Sequence, residues 1–243
     1  MQWWAFDITP EASQSTSVCA YLAIDRVANY RLASHDVANR PTQAAINVGS
    51  AACRALLIKL QAKIGLQGKL SDAGLPYRLL ASQHNAHATP YFVSFSHSSA
   101  HIAVLVAPFA KLAVDIEDKP ISAAVARRFF SHAENDWLAT LTNRQQRQAR
   151  QLLWCLKECT LKQRQARDSR LLAGIAHNIL DDIAPKQLRA LLTEQAGQAI
   201  NCLYQTAPTP RLMGYLPTKH CAVMVCQHSC NNFAKKTQNF FVL

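Results

Sequence analysis

Between Phe92 and Glu117 three short apolar segments, FVSF, HIAVLVA and KLAVDIE, follow one another with only polar or proline-containing turns between them. Short runs rich in Val, Ile, Leu and Phe and bounded by turn residues read as strands, and the rest of the chain must be compatible with them. Upstream, SVCAYLAID has the same character; downstream, CLYQ, RLMGYL and CAVMVC are candidates in a strand-rich tail from about Ala199 to Val242. Helical signals lie elsewhere. Asn39 and Pro41 supply an N-cap and a first turn, after which Val48, Ala52, Ala55, Leu56 and Leu60 recur at helical spacing up to Gly65. Residues 75–89 read as loop. Pro120 opens a helix through ISAAVARRFF, and Ser131 with Glu134 forms a capping box before AENDWLATL. A long helix runs from about Asn143 to Arg167, and SRLLAGIAHNIL after it reads as helical. The predicted class is α+β.

Composition removes several alternatives. With 243 residues, 49% hydrophobic and 17% charged, the chain can bury a sizeable core, which excludes a disordered or fibrous protein. Its longest apolar run, Ile102 to Ala110, stops at Lys111, short of a membrane span. The start, MQWWAFDITPE, has Asp7 and Glu11 where a signal peptide avoids acids, so a soluble cytoplasmic protein is expected, with no membrane partner. Eight cysteines are too few for a disulfide-built scaffold. Cys221, Cys226 and Cys230 with His220 and His228 come nearest to a metal cluster, but CAVMVCQ reads better as a half-buried strand with reduced thiols. No repeat or low-complexity linker marks a domain boundary.

The net charge of +11 implies an acidic partner: nucleic acid, a phosphate-rich small molecule or an acidic protein. Arg144 to Arg170 alone holds eight basic residues against Glu158 and Asp168. A solvated helix face is the ordinary explanation for such a stretch.

Acids are scarce, and their placement is informative. None occurs between Asp72 and Asp115; then come Asp115, Glu117 and Asp118. Asp115 and Glu117 share one side of a strand, and adjacent carboxylates repel unless a cation intervenes, which points to a hard metal such as Mg²⁺. In WCLKECTLK, Trp154, Glu158 and Lys162 follow at i, i+4 and i+8, with Leu161 on the same side. An ordinary amphipathic helix would show this too, but beside the DxE it offers a third carboxylate and an ammonium. SFSHSS places Ser96, His97 and Ser98 at a strand end, where hydroxyls and an imidazole suit phosphate.

In order, FVSFSHS, AVDIE, RRFF and WCLKECTLK resemble the signature of the 4′-phosphopantetheinyl transferases of the surfactin-synthetase-activating type: FNxSHS, G(I/V)D(I/V)E, RFF and WxxKExxxK. The joint match covers about 70 residues from Phe92 to Lys162, and the chain length fits the monomeric subgroup. The resemblance implies transfer of phosphopantetheine from coenzyme A to a serine of an apo acyl- or peptidyl-carrier protein, releasing 3′,5′-ADP. It implies that Asp115, Glu117 and Glu158 hold Mg²⁺, that Glu158 is the general base, and that Lys162 neutralises or protonates the leaving phosphate. Ser96 and His97 would contact the coenzyme's phosphates. The family glycine before DIE is Ala113 here, and the asparagine of FNxSHS is Ser94. In place of the upstream basic residues that grip the coenzyme, Arg78 and Arg40 are the candidates.

The same resemblance implies a pseudo-dimer of two similar α+β halves, 1–112 and 113–243, with the site in the cleft between them and the metal ligands on the second. Its acidic carrier would meet some of Arg127, Arg128, Arg144, Arg147 and Arg150. Asp118, outside the implied set, is expected to tolerate replacement by Ala. Rival readings are a metal-dependent nuclease built on the Glu117-x-Lys119 triplet, a basic nucleic-acid-binding protein using the Arg/Gln-rich helix, and a degenerate transferase that binds coenzyme A without turnover. The acid-free stretch before Asp115 denies the nuclease its upstream carboxylate, nucleic-acid binding leaves the ordered motifs unexplained, and the intact Asp115, Glu117, Glu158 and Lys162 argue against a degenerate enzyme.

Overall fold

HIAVLVA and CAVMVC are apolar on both sides because each is an interior strand with layers packed on both faces. In the computed structural model, which describes residues 1–7, 19–30, 41–71, 73–80, 90–165, 177–192, 201–205 and 211–226, they belong to two antiparallel sheets. The first sheet comprises β1 (Gln2–Asp7), β2 (Cys19–Arg26), β3 (Lys69–Ser71), β4 (Tyr77–Leu80), β5 (Tyr91–His97) and β6 (His101–Ala107), in spatial order β1-β2-β6-β5-β4-β3. The second comprises β7 (Lys111–Ile116), β8 (Asn201–Gln205), β9 (Arg211–Leu216) and β10 (Cys221–Cys226), in order β7-β10-β9-β8. Five α-helices are described: α1 (Pro41–Ile64), α2 (Ala123–Phe129), α3 (His132–Ala139), α4 (Asn143–Gln165) and α5 (Pro185–Leu192). The α+β class read from the sequence is therefore the observed one.

Period-2 alternation sorts the side chains into layers. Leu22 and Ile24 join Trp4, Phe6 and Leu105 in a core that also contains Leu112, Val114, Ile116, Val223 and Val225, so the two sheets pack face to face. Ala23, Val104 and Val106 point the other way, against Leu56, Leu57 and Leu60 of α1. On the far side of the second sheet, Ala113, Tyr215, Ala222 and Met224 meet Leu152, Leu153 and Leu156 of α4 and Leu188 and Leu191 of α5. β7 alternates accordingly: Leu112, Val114 and Ile116 enter the inter-sheet core, while Ala113 packs toward the helices.

Several expectations need correction. Residues 75–89 are not all loop, since β4 pairs with β5 in register Arg78 to Phe92. β1 and α5 lay in sequences not read as elements, although Trp4 and Phe6, both buried, carry the period-2 signal. Pro120 does not open α2; Ser122 caps it, accepting from Val125 N at 3.2 Å. Strand β10 is buried along both faces rather than half-buried, because Val223 and Val225 enter the inter-sheet core while Ala222 and Met224 pack under the helices. Of SRLLAGIAHNIL, the first part lies outside the described residues, and its end enters a 3₁₀ turn at Ile179–Asp181. Cys53, Cys155, Cys159 and Cys221 are buried free thiols; Cys230 and His228 lie outside the described residues.

Candidate active site

β7 is an edge strand of the second sheet, so its outer backbone groups need partners from elsewhere. β5 supplies two. Val114 N donates to Ser94 Oγ at 3.1 Å and Ile116 N donates to Ser96 Oγ at 3.2 Å. Ser94, standing where the family pattern has asparagine, thus stitches one sheet to the other. The Ser96 hydroxyl in turn donates to Asp115 Oδ1 at 3.0 Å. On the opposite side α4 brings Lys162, whose Nζ donates to Val114 O and to Asp115 Oδ1, both at 2.8 Å. Ser96, Asp115 and Lys162 therefore form one continuous row across the junction.

Glu158 lies one turn before Lys162, a spacing that puts both on the same helix face. Burial pushes its carboxyl above the usual range, Asp115 adds to the rise and Glu117 adds further, while Lys162 opposes it. The three carboxylates thus share one electrostatic neighbourhood. Burial works against the Lys162 ammonium, but Asp115 and Glu158 outweigh it and hold its pKa above the ordinary lysine value. His97 is held below the usual histidine range by burial and by Lys162, which keeps its imidazole neutral at physiological pH.

Glu117 is positioned by α4 from one side and by the His220 turn from the other. Gln151 on α4 is buried; its Nε2 donates to Glu117 O at 2.9 Å and Lys119 O at 3.2 Å, and its Oε1 accepts from Ile121 N at 3.1 Å. Arg150 Nε donates to Ile121 O at 2.9 Å. From the other side, Glu117 N donates to His220 O at 3.2 Å, and Cys155 Sγ donates to the same carbonyl at 3.3 Å. His220 is left-handed, φ 45° and ψ 47°, a conformation uncommon outside glycine and more frequent for histidine and asparagine than for bulky residues. Nothing local in the sequence marks Gln151 for this task, because its partners are about thirty residues away.

Asp118 is no bystander. It accepts from Ser98 Oγ, from Ala100 N at 2.6 Å and from His101 N at 3.1 Å, and pairs with the His101 ring at 2.6 Å. It fixes the turn that follows Ser96 and His97, so replacing it by Ala is not a neutral control. Exposed Asp136 on α3 is a better one.

The remaining motif residues are structural. Phe129 packs edge-on against Trp154 at 5.9 Å between ring centroids, and the Lys157 ammonium lies 5.5 Å from the Phe130 ring centroid. Lys157 also makes a fully buried ion pair with Glu134 at 2.9 Å. Glu134 is the expected capping-box residue of α3, accepting from Ser131 N at 2.8 Å, but its other oxygen accepts from Ile179 N at 2.7 Å. One carboxylate therefore joins α3, α4 and the Ile179 turn.

The structure brings together Ser96, Asp115 and Lys162 by direct contact, and Glu117, Glu158 and His97 through the shared field. It places Arg78 elsewhere. Arg78 pairs with Phe92 at the start of β5, with its guanidinium 5.5 Å from the Phe92 ring centroid, about 16 Å along the strand from His97 at a rise of about 3.3 Å per residue. Arg40 lies outside the described residues. No three His, Cys, Asp or Glu among the described residues are grouped to close around a metal ion. The donor chemistry nevertheless fits Mg²⁺, which takes hard oxygens and commonly only one or two protein carboxylates, with substrate phosphates and water completing the shell. The nearby thiols of Cys155, Cys159 and Cys221 are pushed up by burial and stay protonated, so they do not compete as donors.

Residues 111–210 match the model of the 4′-phosphopantetheinyl transferase superfamily. The matched stretch, less than half of the chain, contains Asp115, Glu117, Glu158 and Lys162; Ser96 and His97 precede it. No curated protein matches the chain. Among the described residues no helix is long and apolar enough to cross a membrane.

Proposed function

We propose that this protein transfers 4′-phosphopantetheine from coenzyme A to a serine of an apo acyl- or peptidyl-carrier protein, as a monomeric, cytoplasmic holo-carrier synthase of the surfactin-synthetase-activating type. The observation that carries the reading is the row Ser96, Asp115, Lys162 beside a Glu158 whose carboxyl is raised by burial and by the acids around it. Phosphoryl transfer requires chiefly positioning and cations around developing charge. Divalent metal held by Asp115, Glu117 and Glu158 would neutralise the pyrophosphate.

In this reading the residues 1–112 and 113–243 are the two halves, and the site draws on both. The carrier serine Oγ attacks the phosphorus that bears pantetheine. Its O–P bond forms as the bond from that phosphorus to the bridging oxygen breaks, and 3′,5′-ADP leaves with the electron pair. Glu158 takes the serine proton as general base. Lys162 has three donor hydrogens and uses two on Val114 O and Asp115, leaving one for the departing phosphate. Neutral His97 faces the coenzyme phosphates, while Ser96, whose one hydroxyl hydrogen goes to Asp115, holds that carboxylate in place.

The reaction is tested by chromatography of 3′,5′-ADP released from coenzyme A. Release is expected only with both apo carrier and Mg²⁺ present; release without carrier would mean hydrolysis instead and overturn the reading. The basic-protein alternative predicts salt-dependent DNA or RNA binding with no metal requirement.

An acidic carrier is the partner that the positive surface fits. Arg127, Arg128, Arg144 and Arg147 are exposed, and Arg144 lines a hollow of about 470 Å³ with Leu141, Arg189 and Leu192. Arg150, bound to the Ile121 carbonyl, is better read as part of the site's support. Replacing Arg144 and Arg147 together by Ala is expected to raise the carrier KM on the order of tenfold at low ionic strength and flatten its salt dependence, with the coenzyme A KM unchanged. Unchanged carrier kinetics would place the carrier elsewhere.

A further inference from the structure

We propose that Gly49 is a positioning residue for His97: α1 carries glycine there so that the imidazole can pack closely against the helix and be held toward the coenzyme. The inference rests on the assignment of His97 to the coenzyme phosphates. Glycine is among the least favourable residues for a helix interior, yet Gly49 lies inside the 24-residue α1, far from either end, and is buried. A Cβ at this position would lie 2.7 Å from His97 Cγ, 2.8 Å from Nδ1 and 3.0 Å from Cδ2, all inside the ordinary contact distance of about 3.5 Å. The whole near edge of the ring therefore occupies the space that any other residue would fill.

A second contact shows that this is a designed seat for the end of β5. One helical turn on, Cys53 is buried and its Sγ donates to Ser96 O at 3.4 Å. Gly49 and Cys53 share the face of α1 that continues through Leu56 and Leu60 onto the first sheet. The helix thus fixes the carbonyl of Ser96 through one residue and the ring of His97 through the other. His97 is partly exposed, so among the described residues the Gly49 seat is the contact assigned to holding its rotamer. A methyl group at residue 49 leaves the ring one way out, toward solvent, which removes it from the site without opening a cavity in the core.

Calorimetric binding of coenzyme A and steady-state kinetics on Gly49→Ala, His97→Ala and the double variant test this. Gly49→Ala is expected to weaken coenzyme A binding and raise its KM about tenfold, the size of one hydrogen bond to a charged group. The carrier KM should not change, and Tm should be unchanged or slightly raised, because alanine is the better helix former. In the His97→Ala background the same substitution should change coenzyme affinity no further. Weakened binding in His97→Ala with unchanged binding in Gly49→Ala would overturn the inference and leave the function intact. If His97→Ala itself binds coenzyme A normally, the assignment of His97 is what fails. A fall in Tm of equal size in both backgrounds would make Gly49 a packing residue and nothing more.

Discussion

Glu158→Gln is expected to lose between about 10² and 10⁴ of turnover, the range by which a positioned general base accelerates proton transfer, while the protein folds normally. The carboxamide keeps the shape and cannot accept the serine proton. In metal-free protein, burial, Asp115 and Glu117 raise the Glu158 carboxyl, so in EDTA protonation removes the free carboxylate at a pH above the usual carboxylate range. A carboxyl whose folded pKa is raised favours the folded state fully below its unfolded value, and this contribution is lost as pH rises through the folded one. In EDTA at neutral pH, Glu158→Gln should therefore match or exceed the parent in Tm, and the difference should vanish below the unfolded carboxylate pKa. Exposed Asp136→Ala is the neutral comparison. Equal turnover in the two variants would refute the role given to Glu158.

Lys157→Met is the substitution with the largest expected cost in stability. Lys157 and Glu134 are 1% and 0% exposed, and removing one member of a buried pair leaves an uncompensated charge, at a cost of about 3–5 kcal/mol. The lysine itself gains no ease from its site: burial lowers its pKa, opposed by Glu134. In urea titration the midpoint should drop with an unchanged m-value. Adding Glu134→Gln removes the stranded charge and should restore part of the loss; restoration is partial because a carboxamide has one oxygen for the two backbone donors, Ser131 N and Ile179 N. A loss under about 1 kcal/mol in Lys157→Met would mean the pair is solvated in solution.

The strands β5 to β7 and the helix α4 were legible because their signals are local: apolar runs broken by turns, and a helical period sustained over more than twenty residues. The carboxylates were legible for the same reason, each falling inside a contiguous motif. What escaped was set by distance along the chain. Gln151 reads as one more polar residue of an Arg/Gln-rich face until the loop of residues 117–121 folds onto it. Gly49 is unremarkable until β5 delivers His97 to it, and Glu134 looks fully explained by its capping box until Lys157 and Ile179 arrive. Short β3 and β4, with Gly and Pro between them, carry too few residues for a period to show.

The central claim is tested most directly by intact-mass spectrometry of a purified apo carrier protein incubated with this protein, coenzyme A and Mg²⁺, with and without EDTA. The expected result is a gain of one phosphopantetheinyl group, abolished by EDTA and absent with Glu158→Gln. A carrier that gains no mass across fatty-acid, polyketide and peptide types, while Mg²⁺ and coenzyme A are in excess, would contradict the account.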